Sequence, residues 1–207
     1  IGTQTSEVPK VYLRLTIKGG ALVEDAKKAG LASITADMMG ESTKSNDAEA
    51  ISVALRKLGS DIRFSSSDEA NYMYIESLTK NLDATLAIAK EKLMEPAFNE
   101  EDFKRIKKGN LESIDASIKN PDYMASVAFA NKLYGDTPFG RAPSKKTINK
   151  IKIKDLKEYY SSFYTPTVSS LIVVGDIDKE TLLSKLDFLA NWEGEEVNVP
   201  TPADHSF

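Results

Sequence analysis

The sequence predicts an α+β fold in which a mainly antiparallel sheet packs against helices, and two observations carry that reading. Residues 10–18, KVYLRLTIK, alternate strictly: Val11, Leu13, Leu15 and Ile17 point one way, and Tyr12, Arg14, Thr16 and Lys18 the other. That is the period of a half-buried strand. The segments then follow as strand, two helices, a hairpin, several helices, strand and helix, without the regular alternation of a doubly wound parallel sheet. With 207 residues and 41% apolar content the chain can bury one sizeable core. Residues 1–194 read as a single domain, and 195–207, which include NVPTP, as a linker or tail.

Each element has a local cause. Gly19-Gly20 stops the first strand. From Asp25 to Glu41 the pattern turns helical, and the polar run STKSND ends it. A second helix, roughly 47–58, carries Ala50, Ile51, Ala54, Leu55 and Leu58 and stops at Gly59. DIRFSSS and NYMYIESLT, joined by DEA, form a hairpin. Asn81 caps a helix that Pro96 stops. Asn99 opens the longest helix, through Phe103, Ile106, Leu111 and Ile114 to about Ile118, with Glu101 and Asp102 favouring its start. Pro121 opens another helix, and YGDTPFGRAP is a loop. A helix over 154–163 precedes Pro166, and SSLIVVGD is apolar enough for a strand buried on both faces. The last helix, 178–190, carries Leu182, Leu183, Leu186 and Leu189.

Composition excludes several functions. A net charge of −4 offers no clustered basic excess for nucleic acid. The lysine-rich stretch 145–157 lacks interleaved aromatics and reads as a solvated helix face. No run reaches the roughly 18 to 20 apolar residues of a membrane span. Without cysteine there are neither disulfides nor thiolate metal sites. The chain starts at Ile1 without a charged-then-apolar leader and reads as a segment of something longer. Its one histidine, His205, lies in the tail, and one imidazole cannot supply a two-histidine site. Gly19-Gly20 is no phosphate loop, since no Lys-Ser/Thr follows it. YMYIES reads as a strand that either offers an edge for peptide addition or is paired in the core.

Five stretches together resemble the zinc peptidases of the insulinase and pitrilysin type. They are GGALVEDAKKAGLASITADMMGEST, LRKLGSDIRFSSSDEANYMYIESL, EPAFNEEDFKRIKKGNLESI, LYGDTPFG and YYSSFYTPTVSSLIVVGDID. They cover nearly the whole chain, in order and with family-like spacing. In that family one helix carries His-x-x-Glu-His, whose histidines share a face and bind zinc while the glutamate serves as base. A second glutamate comes from the long helix.

The resemblance places Ser33 and Asp37 at the two histidines, Ala36 at the base and Ser113 at the distal glutamate. Glu112 lies one residue away, but a one-residue shift turns a helical side chain by about 100°. A hydroxyl, a methyl and one carboxylate do not make a zinc site. The resemblance therefore implies a non-catalytic half, first roll, with no metal and no catalytic residue of its own. Its expected partners are a zinc-bearing half, on the same chain or a separate subunit, and unfolded peptides enclosed in a chamber. The alternative is a structural or assembly subunit with no peptide role. Family analogy points to the cell envelope or periplasm. The family's substrate-contacting arginine and tyrosine fall beyond this segment, so Arg141 and Tyr164 are not assigned to that role. The segment SKK after GRAP is shorter than in the family, as a loop deletion or missing residues near Ser144 would make it.

Overall fold

The alternating stretch forms β2 (Lys10–Lys18), the central strand of a five-stranded sheet in this computed structural model, which describes residues 2–4 and 9–200. The other strands are β1 (Gly2–Gln4), β3 (Asp61–Ser66), β4 (Ala70–Leu78) and β5 (Ser169–Gly175), in the order β1-β5-β2-β4-β3. β2, β3, β4 and β5 pair antiparallel, and β1 adds a short parallel edge beside β5. Leu13 lies opposite both Ile75 of β4 and Val173 of β5, so three strands send apolar side chains to one face.

Among the described residues eight helices form: α1 (Leu31–Met39), α2 (Ala48–Leu58), α3 (Leu82–Met94), α4 (Glu100–Ser117), α5 (Pro121–Tyr134), α6 (Lys145–Lys150), α7 (Ile153–Phe163) and α8 (Lys179–Lys185). Side chains of Asp47, Asn99 and Asn120 accept the first free N–H groups of α2, α4 and α5. Gly59 ends α2 with φ 60°, a conformation glycine adopts without Cβ strain. Val11, Leu15, Ile17, Met73 and Ile75 pack with Ile34, Met38, Leu86, Leu93, Leu156 and Tyr159 in one continuous core.

Several expectations are corrected. β5 is not buried on both faces: Val174 is 40% exposed. Among the described residues helices cover only one side of the sheet, and Tyr12, Arg14, Arg63 and Tyr74 are exposed with Val174. α1 starts at Leu31 rather than near Asp25, because Gly30 takes φ 101° and residues 20–23 and 26–28 form short 3-10 turns. Asn81 stands at the start of α3 without capping it; its amide donates instead to the Leu58 carbonyl at 2.7 Å, joining α3 to the end of α2. β4 is paired on both sides and offers no edge; the edges are β3 and β1. The lysine-rich stretch does keep its lysines exposed, over α6 and the start of α7, with Ile148, Ile151 and Leu156 fully buried beneath them. Ser144 caps α6 in a reciprocal pair with Thr147, so the short SKK segment enters a helix directly. α8 stops at Lys185, and a 3-10 turn over 187–191 completes the stretch expected as one helix. His205 lies outside the described residues.

Lys92 is the largest fully buried side chain. Its ammonium donates to the carbonyls of Gly40 and Glu41, which end α1. Burial pulls its pKa down from 10.5 to about 8, against the opposing charges of Glu41 and Asp102. Between about pH 8 and 10.5 the unfolded chain therefore holds a proton that the folded chain has released, and folding stability rises with pH. Measured against Lys92→Met, the wild-type chain should gain on the order of 1 to 2 kcal/mol between about pH 7 and pH 9.5 in urea melts. A pH-independent difference would show that Lys92 keeps its ordinary pKa, and so its charge, in the fold.

Candidate functional site

α1 is held at both ends before it presents anything. The Glu24 carboxylate accepts from the backbone N–H of Gly30 and of Ala32, each at 3.0 Å, and so closes the helix N-terminus with a negative charge. Burial raises the Glu24 pKa, and the N–H bonds from Ala32 and Gly30 act in the opposite direction. Seven of the nine residues of α1 are buried, and the two that reach solvent are Ser33 and Asp37. Four residues apart, they lie on one face. Ala36 is only 1% exposed, yet it lines the same cavity as Asp37.

α4 lies against α1 in the antiparallel direction, and a ladder of polar pairs fixes their register. Asp102, itself buried, accepts from the Ser42 hydroxyl at 2.6 Å, from the Asn99 amide at 2.7 Å and from Arg105 at 3.0 Å. These bonds hold its pKa down against the effect of burial. Arg105 also pairs with Glu41 at 2.6 Å. One rung further, the Asn110 amide donates to Asp37 at 3.2 Å. Burial, then the charge of Glu41, raises the Asp37 pKa, while the Asn110 bond lowers it.

Beyond this rung a cavity of about 580 Å³ opens between α1, α4 and β3. Ala36, Asp37, Gly40 and Glu41 line it from α1 and its end, Ile62, Arg63 and Phe64 from β3, and Arg105, Ile106, Gly109 and Asn110 from α4. Ser113 is exposed, three residues past Asn110 along α4, at the level from which the antiparallel register leads toward Ser33. Glu112 is turned away, exposed beside Lys108 at 3.8 Å. Asn110, the residue that meets Asp37, escaped sequence reading. Its signal was a polar residue within the apolar stripe of Phe103, Ile106 and Ile114.

The donor set does not fit zinc. Ser33 offers a neutral hydroxyl, Ala36 nothing, Asn110 an amide, and Asp37 one carboxylate. Among the described residues no three His, Cys, Asp or Glu side chains cluster closely enough to hold a metal ion. No helix there is long and apolar enough to cross a membrane. Arg141 is committed to Asp136 at 2.8 Å, and Tyr164 is buried.

Comparison with known proteins is consistent with this geometry. Residues 2–144 match the model of the insulinase family, peptidase family M16, and residues 150–206 match the M16 inactive domain. A relative in Helicobacter pylori, the non-peptidase homolog YmxG, is 25% identical over 89% of this chain and 43% of its own length. The crystal structure of an M16 inactive domain from Pseudomonas fluorescens superposes with a TM-score of 0.90 at 23% identity, covering 98% of this chain and 50% of that one. The first half of the periplasmic protease PqqL from Escherichia coli gives 0.82 at 23% identity, covering 98% and 47%. At such identities the structural likeness establishes the α+β fold. The chain spans about half the length of these proteins.

The raised pKa of Asp37 makes its carboxylate a cost to the fold at neutral pH. A folded pKa above the unfolded 3.8 means stability is fullest below that value and falls as pH rises through the folded pKa. Asp37→Asn should therefore be more stable than wild type near neutral pH, by less than about 1 kcal/mol for a group reaching solvent. The advantage should vanish as pH falls below about 4, which thermal melts across that range will show.

Proposed function

The chain belongs to the insulinase family of peptidases, M16, and from that premise we propose that it is a non-catalytic half-site: a wall of a substrate-enclosing chamber that supports cleavage by a zinc-bearing half. The observation supporting the proposal is that α1, α4 and β3 line an open cavity containing Ala36 and Asp37; on the resemblance these two, with Ser33 and Ser113, stand where the family keeps its zinc ligands and base. The fold persists; on this alignment the donors do not. Such a domain acts by enclosure and by holding an extended chain.

β3 supplies the means to hold one. Among the described strands it pairs only with β4, so one row of its backbone N–H and C=O groups remains free beside the cavity. An unfolded polypeptide adding to that edge gains main-chain hydrogen bonds without demanding a particular sequence. A second reading, an assembly subunit without a peptide role, finds support in α5. That helix buries no residue and leaves Met124, Phe129, Leu133 and Tyr134 exposed.

The two readings separate in a reconstitution. The isolated chain should hydrolyse no peptide, whereas the full-length protein, or the complex with a zinc-bearing half, should cleave unfolded peptides and stop when chelator is added. Deleting this domain should abolish that activity while the catalytic half still melts cooperatively. Undiminished activity of a folded catalytic half would favour the assembly role.

A metal-restoring variant tests the proposed positions. Ser33→His and Asp37→His place two imidazoles four residues apart on the exposed face of α1, Ser113→Glu adds a third ligand from α4, and Ala36→Glu adds a base. Zinc–nitrogen bonds of about 2.0 to 2.1 Å tolerate little misplacement. Calorimetry should show zinc uptake by the fourfold variant and none by the unaltered chain, with little turnover because orienting partners are also needed. A folded variant that takes up no zinc would put Ser113, or all of α1, out of register.

A further inference from the structure

The carboxylates of the α1–α4 face are not equally satisfied. Asp102 and Glu41 both pair with Arg105, and nearby Asp155 pairs with Lys28 at 2.9 Å. Arg63, on the β3 wall, is taken by Asp61 at 2.6 Å. Asp37 alone among the cavity's carboxylates has no cation; its partner is the neutral amide of Asn110. With the two lining arginines each engaged elsewhere, no ion pair to Asp37 forms among the described residues.

The surroundings are shaped for a long side chain carrying the opposite charge. Ile62, Phe64 and Ile106 provide apolar walls against which an aliphatic stem can lie. Gly109 leaves open space where another residue's Cβ would stand, with nothing within 4 Å. Ile62, Arg63 and Phe64 are consecutive residues of the free edge of β3. A strand added there runs along the mouth of the cavity, and its side chains alternate, so that every second one can be directed inward.

We propose that Asp37 receives the basic side chain, lysine or arginine, of an extended polypeptide added to the free edge of β3, an inference that rests on the peptide-holding role proposed above. The stem packs on Ile106 and Phe64, and the ammonium or guanidinium meets the Asp37 carboxylate beside the Asn110 amide. Backbone pairing supplies affinity common to all peptides, and Asp37 supplies the preference. The lost metal ligand position thus becomes a charge-selective one.

The test uses the full-length protein with its catalytic half, kept in chelator so that nothing is cleaved. Three unstructured, fluorescently labelled peptides identical except for one central lysine, norleucine or glutamate are titrated by anisotropy. The lysine peptide should bind about fivefold more tightly than the norleucine peptide, as a partly exposed ion pair allows. In Asp37→Asn the two should bind alike. Equal binding of lysine and norleucine peptides by wild type, a preference for glutamate, or a lysine preference surviving in Asp37→Asn overturns the assignment to Asp37 while leaving peptide holding intact. Failure of all three peptides to bind wild type overturns peptide holding itself, and this inference with it.

Discussion

Everything at the candidate site depends on how α1 is fixed. The helix is short and almost wholly buried, and both its ends are closed by charged side chains from elsewhere: Glu24 at the N-terminus and Lys92 at the C-terminus. Each sign opposes the helix dipole at its own end, so each charge is stabilised by the groups it satisfies. Burying either charge is costly in isolation. Here the same groups meet backbone N–H and C=O that would otherwise be orphaned, which offsets part of that cost. With α1 pinned this way, the Ser42–Asp102–Arg105–Glu41 pairs set α4 alongside it, and the cavity against β3 follows.

What could be read from the sequence was whatever is local. The alternation of residues 10–18 forced a half-buried strand, and Asn99 and Pro121 announced helix starts because such signals need only neighbours. Asn81 shows the limit: the residue type was right for a cap, but the Leu58 carbonyl, 23 residues back across the β3–β4 hairpin, claimed its amide. β5 misled for a related reason. Its apolar run says that the strand is comfortable away from water but cannot say whether one face or two is covered; that depends on helices, and they all lie on one side. The zinc-motif frame was legible only as a resemblance, and Asn110 only as a polar residue within an apolar stripe, because nothing in a helix's own period shows which residue another helix will meet.

The exposed side of the sheet and α5 have a common feature. Tyr12, Tyr74 and Val174 on the one, and Met124, Phe129 and Leu133 on the other, are larger and more apolar than a solvated surface requires. The family relatives are about twice as long as this chain. Within the chain itself, neither surface contributes to the core that positions α1, so the site's geometry is set independently of whatever those surfaces do.

That independence explains how a peptidase scaffold can lose its chemistry and keep its shape. In many small metal proteins the ion is part of the folding energy, and removing ligands unfolds the chain. Here α1 is secured by Glu24, by Lys92 and by its six buried residues other than Ala36, and α4 by the Asp102 and Arg105 bonds; none of these groups is one that the resemblance assigns to metal or catalysis. Of the assigned positions, Ser33, Asp37 and Ser113 reach solvent, where substitution has small effects on stability. Ala36 is the buried exception, and a methyl group is the easiest occupant for a tightly packed helix face. Changes at these four positions therefore leave the frame standing. The surviving frame places the carboxylate of Asp37, at some cost to stability, where an added strand would meet it.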